Sequence, residues 1–162
     1  SRSQGAFRRV FGDYSGALTT DRYEVYCQHK GPRQLCHAHI RRDFIKISER
    51  EGENQNLGLE LLELNNQLFH IYHQYKKGSL DRLEYMHKIE EEIMPSMHTW
   101  LILGTHSYRY CAKTKGTCKR LLRDWSHLWT FLYIPDVEPT NNLAERDLRP
   151  IVIRRKISFG LY

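Results

Sequence analysis

Residues 57–75 read LGLELLELNNQLFHIYHQY and form the clearest helical pattern in the chain. The apolar residues recur at spacings of four and three, which places them on one face of an α-helix. They are Leu57, Leu61, Leu64, Leu68, Ile71 and Tyr75. A stripe of this kind is typical of a buried core, so this segment predicts a long helix that packs against others.

Two more helices are predicted after this one. Gly78-Ser79 ends the first helix and caps a second over 80–93, which Pro95 stops or kinks. A third long helix is predicted over 121–132, where leucine and tryptophan recur at helical spacing. Together the three helices indicate an antiparallel helical bundle.

The sequence before the bundle predicts a small amount of sheet. Residues 17–20 and 33–38 each predict a short strand, with breaking residues at Gly31-Pro32 between them. A helix over 38–50 and a polar loop at Gly52 to Asn56 follow. The fold class is therefore predicted as α/β and predominantly helical. Two strands alone do not make a stable sheet, so the chain is interpreted as part of a larger fold.

The charge is unevenly distributed along the chain. The 162 residues carry a net charge of +6, divided as +5 over residues 1–50, −5 over 51–100 and +6 over 101–162. Basic surfaces attract nucleic-acid phosphates, although a solvated surface of mixed sign is the alternative. No apolar run is long enough to span a membrane, and four cysteines do not form a disulfide framework. A cytoplasmic, reducing location is expected.

Two carboxylates lie where chemistry is often found. Asp21 follows the first predicted strand, at an edge where α/β enzymes often place functional groups. Glu145 shares a polar helical face with Asn142, Arg146 and Arg149. Helix capping is the alternative for both, as Asp21 with Glu24 and as Asn142 with Glu145. Gly-rich phosphate loops, dinucleotide fingerprints and Ser-His-Asp arrangements are not found in the sequence, and nucleotide-dependent chemistry is therefore disfavoured.

The segment Cys36-His37-Ala38-His39 is dense in metal-ligating residue types. Zinc held by Cys36, His37 and His39 is one hypothesis, with the remaining cysteines as further ligands. These are Cys27, Cys111 and Cys118. Paired short ligand spacings of the zinc-finger type are not found, however, and a strand-end histidine that packs near a carboxylate is the alternative.

Three segments taken together resemble the insertion sequence 66 family of bacterial Asp-Asp-Glu transposases. They are Gly16-Ala-Leu-Thr-Thr-Asp-Arg-Tyr23, then Cys36-His-Ala-His-Ile-Arg-Arg-Asp-Phe44, then Asn141-Asn-Leu-Ala-Glu-Arg-Asp-Leu-Arg-Pro150 followed by Arg155-Lys156. The resemblance covers nearly the whole chain, and its last segment is the most specific.

The resemblance implies a partial ribonuclease-H-like fold with a large helical insertion. Residues 1–50 would form part of that core, 51–139 the insertion, and 140–162 the helix of the last carboxylate with a basic tail. Asp21 matches the family's second Asp and Glu145 its Glu, so both are expected to be catalytic and to bind metal. The complete enzyme uses two Mg²⁺ (or Mn²⁺) ions for cleavage and strand transfer at element ends.

The resemblance also implies DNA as the partner, both as transposon ends and as target, with self-association or an intact transposase as further partners. The residues expected to contact DNA are Arg41, Arg42, Arg146, Arg149, Arg154, Arg155 and Lys156. His39 and Asn142 are auxiliary candidates. His39 and Arg41 either contact DNA or orient the site, with packing as an equal alternative.

The family's first Asp has no match in this chain, because Asp13 lies in a predicted turn only eight residues before Asp21. The first strands are expected to lie upstream. The chain alone is therefore expected to be catalytically inactive. The alternative function is a non-catalytic, basic helical module that binds DNA or regulates an intact transposase.

Overall fold

The computed structural model describes residues 5, 9, 12–21 and 24–141. They form two compact units. The sheet unit comprises the described residues up to Ala38 together with His127 to Asn141, and the helical unit comprises His39–Ser126. In these described ranges, no helix is both long enough and apolar enough to cross a membrane.

The sheet unit contains two short parallel strands, β1 at Leu18–Thr20 and β2 at Arg33–Leu35. Thr20 lies opposite Leu35 at their carboxyl ends. Both predicted strands are confirmed. The second is shorter than predicted, because the chain is already helical from His37 onward.

The rest of the described chain is mostly helical, which confirms the predominantly helical character predicted. A 3-10 helix at Glu24–Gln28 lies between the strands, a π-helical segment occupies Ile89–Ile93, and a second 3-10 helix occupies Trp125–Leu128. The α-helices are α1 at His37–Ser48, α2 at Glu53–Lys76, α3 at Arg82–Lys88, α4 at Met94–His106, α5 at Ala112–Arg123 and α6 at Thr130–Tyr133.

Helix α2 confirms the apolar stripe. The first five stripe residues are buried, and Tyr75 is half-buried and stacks on Tyr85 with ring centroids 4.4 Å apart. The buried members are Leu57, Leu61, Leu64, Leu68 and Ile71. The predicted polar loop at 52–56 is wrong, since α2 already begins at Glu53. Residues 49–52 connect the two helices, and Gly52 has a φ of 66° that favours glycine.

The predicted cap of the helix after α2 is also wrong. Asp81, and not Ser79, is the N-cap of α3. Its carboxylate accepts a hydrogen bond from the Glu84 backbone N–H at 2.9 Å, and the Glu84 carboxylate accepts one from the Asp81 N–H at 3.0 Å. This reciprocal capping box satisfies two N–H groups at the start of the helix, which a Ser79 cap does not do.

Pro95 does not stop the helical structure. It lies in the first turn of α4, directly after the π segment at Ile89–Ile93. Proline lacks an N–H and its ring crowds the carbonyl four residues earlier. The wider π turn accommodates both effects, because its hydrogen bonds skip one more residue than those of an α-helix.

The predicted third long helix is divided in two. Helix α5 ends at Arg123, and a 3-10 helix and Trp129 separate it from α6. The apolar stripe serves two different cores, since Leu121 is buried in the helical unit whereas Leu128 and Leu132 are buried in the sheet unit. The periodicity was thus real but did not belong to one helix.

Helices α4 and α5 pack closely at Gly104. A Cβ atom there would overlap the Sγ atom of Cys118 and would also press on Leu57. Burial raises the pKa of the Cys118 thiol to about 11. The helical unit is therefore tightly packed where α2, α4 and α5 meet.

Candidate functional site

The carboxyl ends of β1 and β2 lie at one edge of the sheet unit. Asp21 directly follows β1, and its side chain is half-buried. The Cys36 N–H, directly after β2, donates to the Thr20 carbonyl oxygen at 2.7 Å. Since the strands run in parallel, this edge holds the groups that follow both of them, and Asp21 is among these groups.

Gln34 fixes the segment around Leu128 to strand β2. Its side chain is fully buried, and its Nε2 atom donates to the carbonyl oxygens of Leu35 at 2.7 Å and Leu128 at 2.9 Å. Its Oε1 atom accepts from the Phe131 N–H at 2.8 Å. A glutamine whose amide oxygen and nitrogen are both bonded can be buried without leaving polar atoms unsatisfied.

His37 strengthens the same connection. Its ring is fully buried and its Nε2 atom lies 2.9 Å from the Leu128 carbonyl oxygen. Because a carbonyl only accepts, Nε2 carries the proton in this contact. The His37 backbone N–H donates to the Pro139 carbonyl at 2.8 Å, and the ring packs edge-on against Phe131. His37 is thus a packing residue at the start of α1.

Further hydrogen bonds extend this connection along residues 128–141. The Thr130 hydroxyl donates to the Arg33 carbonyl at 2.6 Å, and the Thr19 hydroxyl donates to the Glu138 carbonyl at 3.4 Å. Both strands therefore hold the segment, and its path beside them is defined by main-chain as well as side-chain contacts.

The segment reaches the carboxyl edge at Asn141. The Asn141 N–H donates to the Sγ atom of Cys36 at 3.5 Å, and Cys36 in turn bonds to Thr20. Within the described part of the chain, the buried Oδ1 atom of Asn141 and the buried Oγ1 atom of Thr20 have no hydrogen-bond partner. Glu145 follows four residues later, outside the described residues.

The structure describes four of the predicted site residues. Asp21 lies at the sheet edge, His39 is half-buried in the first turn of α1, and Arg41 and Arg42 are exposed on the same helix. Capping by Asp21 stays open, since residues 22 and 23 are not described. The predicted residues outside the described ranges are Asn142, Glu145, Arg146, Arg149, Arg154, Arg155 and Lys156.

Three of the side chains in the zinc hypothesis have other partners. Cys36 Sγ accepts from Asn141, Cys27 Sγ accepts from Arg33 at 3.1 Å, and the His37 ring binds a carbonyl. Among the described residues, no three His, Cys, Asp or Glu side chains lie close enough to hold a metal ion together. His37 is therefore packed, with a carbonyl oxygen as the partner of its ring nitrogen, and its predicted packing near a carboxylate stays a prediction.

The oxygen atoms at the sheet edge suit a harder metal ion. The Asp21 carboxylate, the Thr20 hydroxyl and the Asn141 amide oxygen are the donor types that Mg²⁺ and Mn²⁺ prefer. Thr20 and Asn141 also contribute the two buried oxygens that have no partner among the described residues. The donor chemistry of this edge thus fits a divalent cation.

Sequence reasoning missed Gln34 entirely and left the role of the Cys36–His39 segment open. The partners of Gln34 and His37 at Leu128 lie 94 and 91 residues away in the sequence. A buried Gln beside an apolar strand residue was the available signal, because a polar side chain in a strand core needs a partner.

Comparison with known proteins gives a family and two relatives. The family described as Transposase IS66 matches residues 1–161. The uncharacterized protein y4jD of Sinorhizobium fredii is 23% identical over 169 aligned positions, covering 98% of this chain and 33% of the relative. The uncharacterized protein y4hP of the same organism is 27% identical over 133 positions, covering 75% of this chain and 24% of the relative. The chain thus spans about a third and a quarter of these relatives. No solved structure matches.

Proposed function

This chain belongs to the IS66 family of transposases, and from this premise we propose that it carries part of the catalytic core of a DNA transposase. In this proposal β1, β2 and α1 belong to a ribonuclease-H-like core, and the helical residues after them form an insertion. Asp21 is the second acidic residue of the catalytic set and Glu145 the last. The division at 1–50, 51–139 and 140–162 stays a prediction.

One observation carries the proposal. Hydrogen bonds from Asn141 to Cys36 and from Cys36 to Thr20 bring residue 141 to the sheet edge that Asp21 occupies. Glu145 is four positions after Asn141, a rise of about 6 Å along a helix. Such a short connection supports a site that includes both carboxylates.

The chain's own residues would hold and orient the reacting groups. Asp21 and Glu145 would bind Mg²⁺ or Mn²⁺, with the Asn141 amide and the Thr20 hydroxyl as further oxygen donors. Two such ions, when bound, stabilise the attacking and leaving oxygens of an in-line displacement at phosphorus. The bonds of Gln34 and His37 to Leu128 help to keep the described residues 128–141 beside the strands, and Glu145 follows four positions after Asn141 in the sequence.

DNA is the proposed partner of this function. Arg41 and Arg42 are exposed in α1, whose first residue follows β2 by two positions. Phosphate contacts by such arginines position DNA without reading its sequence. Residues 146–156, with five basic side chains, are the other proposed contacts. Transposon ends, target DNA and a second transposase chain are the partners this function needs.

Metal binding tests the proposed site directly. In calorimetry with Mn²⁺ and Mg²⁺, the chain is expected to bind in the micromolar range. Asp21→Asn and Glu145→Gln should each weaken binding at least about tenfold, since even residues behind the metal ligands are worth about 10–100-fold. Asp13→Asn is the matched control, because Asp13 is exposed in a turn. No binding above background, or equal binding by all variants, would contradict the proposed site and favour the non-catalytic module.

A nuclease assay tests the predicted inactivity. Duplex DNA carrying the ends of the encoding element, incubated with the chain and Mg²⁺, should show neither cleavage nor joining. Two matched carboxylates are one short of the family's three, and Asp13 in its exposed turn does not lie on either described strand. Mg²⁺-dependent cleavage that disappears in Glu145→Gln would overturn this prediction.

A further inference from the structure

Helix α5 of the helical unit is basic throughout. Its twelve residues, AKTKGTCKRLLR, include five basic side chains and no acidic one. The basic residues are Lys113, Lys115, Lys119, Arg120 and Arg123. The π segment of the same unit has the opposite character, with Glu90, Glu91 and Glu92 in succession. These two elements of the helical unit therefore carry charges of opposite sign.

The cations of α5 lie on the side of the helix that faces away from its packing partners. Thr114, Thr117, Cys118 and Leu121 are buried. The exposed positions 113, 119 and 120 flank Gly116 on the opposite side of the helical wheel. We name these four residues, Lys113, Gly116, Lys119 and Arg120, the basic face of α5.

Within the described part of the chain, the charges of the basic face are not paired with carboxylates. Among the described residues, no carboxylate lies within ion-pair distance of Lys113, Lys119 or Arg120. Arg123 differs, since its guanidinium forms two 3.0 Å hydrogen bonds with Asp124. Three uncompensated cations on one short surface repel one another, and binding a polyanion relieves that repulsion.

Gly116 leaves the middle of the basic face without a side chain. A Cβ atom there would meet only the Nη1 atom of Arg120, at 3.5 Å. Glycine inside a helix is less favourable for stability than alanine. The shallow site it creates lets a bulky backbone approach the helix between the cations.

We propose that the basic face of α5 docks on the phosphate backbone of duplex DNA. Lys113 and Arg120 are seven residues apart, about 10 Å along the helix. That length spans about three phosphates at 3.4 Å per nucleotide of one strand, which matches the three cations. The choice of DNA as the polyanion rests on the proposed function. The proposed contact depends neither on the base sequence of the DNA nor on the carboxylates of Asp21 and Glu145.

The test removes the three charges from the basic face. The variant carries Lys113→Gln, Lys119→Gln and Arg120→Gln, which keep helix-forming residues at exposed positions. Binding to a fluorescein-labelled 30-base-pair duplex of arbitrary sequence is measured by anisotropy in EDTA between 50 and 300 mM KCl. The slope of log K against log salt should fall in magnitude by about 2.7, and affinity at 0.15 M salt by roughly a hundredfold.

A second triple variant controls for net charge. This variant removes three charges elsewhere in the helical unit by Lys76→Gln, Lys77→Gln and Lys88→Gln. It should change the slope of log K against log salt by less than one. Equal weakening by both variants, or none by the α5 variant, overturns the docking face. If a third variant with Arg154, Arg155 and Lys156 changed to Gln loses binding while the α5 variant keeps it, the docking face fails but DNA stands as partner. If the unaltered chain does not bind the duplex at 50 mM salt, DNA fails as partner too. The metal site is tested separately by the calorimetry with Mn²⁺ and Mg²⁺.

Discussion

Replacing Gln34 with leucine is expected to destabilise the sheet unit by about 2–5 kcal/mol. Leucine fills a similar volume but provides no hydrogen bonds, so the buried Phe131 N–H loses its acceptor and the Leu35 and Leu128 carbonyls each lose a donor. A buried polar group left unsatisfied costs about 1–3 kcal/mol. The Leu128 carbonyl keeps its bond from His37, which limits the loss.

Hydrogen exchange followed by mass spectrometry measures this effect in the right place, because a chain with two compact units need not unfold in one step. Peptides covering residues 33–37 and 128–132 should exchange faster, while those of α2 should not. Gln67→Leu is the matched control, since Gln67 is exposed and bonds only to Glu63 in the same helix. Its effect should stay within about 0.5 kcal/mol. Unchanged protection in Gln34→Leu would show that the Gln34 bonds do not hold residues 128–131.

The same substitution connects the fold to the proposed site. The hydrogen bonds of Gln34 go to Leu35, Leu128 and Phe131, and they help to bring residues 128–141 along the strands. Gln34→Leu should therefore weaken Mn²⁺ binding although both proposed carboxylates are unchanged. Gln67→Leu should leave metal binding as it is.

The local features of the fold were readable from the sequence. The stripe from Leu57 to Ile71 predicted a buried helix face, and the run Leu18–Thr20 predicted a strand, because both depend on neighbouring residues. The cap at Asp81 could have been found in the same way, since Asp81 and Glu84 have capping-box spacing. The division of the apolar stripe over 121–132 between two units could not have been found from the sequence, because periodicity does not reveal which core a residue joins.

The site shows the same limit. Asp21 was recognised from its place after a strand, which is a local signal. The arrangement that brings Asn141 to Cys36 depends on contacts across 105 residues, and the Gln34–Leu128 bond on contacts across 94. A sequence read locally identifies candidate groups at such a site, but the bonds that assemble it belong to the tertiary fold.

Changing glycine to alanine is expected to have opposite effects at two places in the helical unit. At Gly58, in α2, the added methyl group would overlap the backbone of Ile47 and Ser48 at the end of α1. Backbone atoms cannot move aside as a flexible side chain can, so α2 must shift. Overpacking of this kind costs about 1–3 kcal/mol and occasionally more. Gly58→Ala should lie at the upper end of that range.

Gly116→Ala should instead stabilise the same unit by about 0.5–1 kcal/mol, because alanine favours the helix and the added methyl makes only an ordinary van der Waals contact, at 3.5 Å from the Nη1 atom of Arg120. Thermal unfolding followed at 222 nm separates the two, since 1 kcal/mol shifts the Tm of a domain of 60–100 residues by about 4–8 °C. A lower Tm for Gly116→Ala, or an unchanged one for Gly58→Ala, would contradict the packing described for these helices. If the basic face of α5 docks on DNA, Gly116→Ala should also weaken duplex binding while raising the Tm, and an ordinary helix surface has no reason to show that combination.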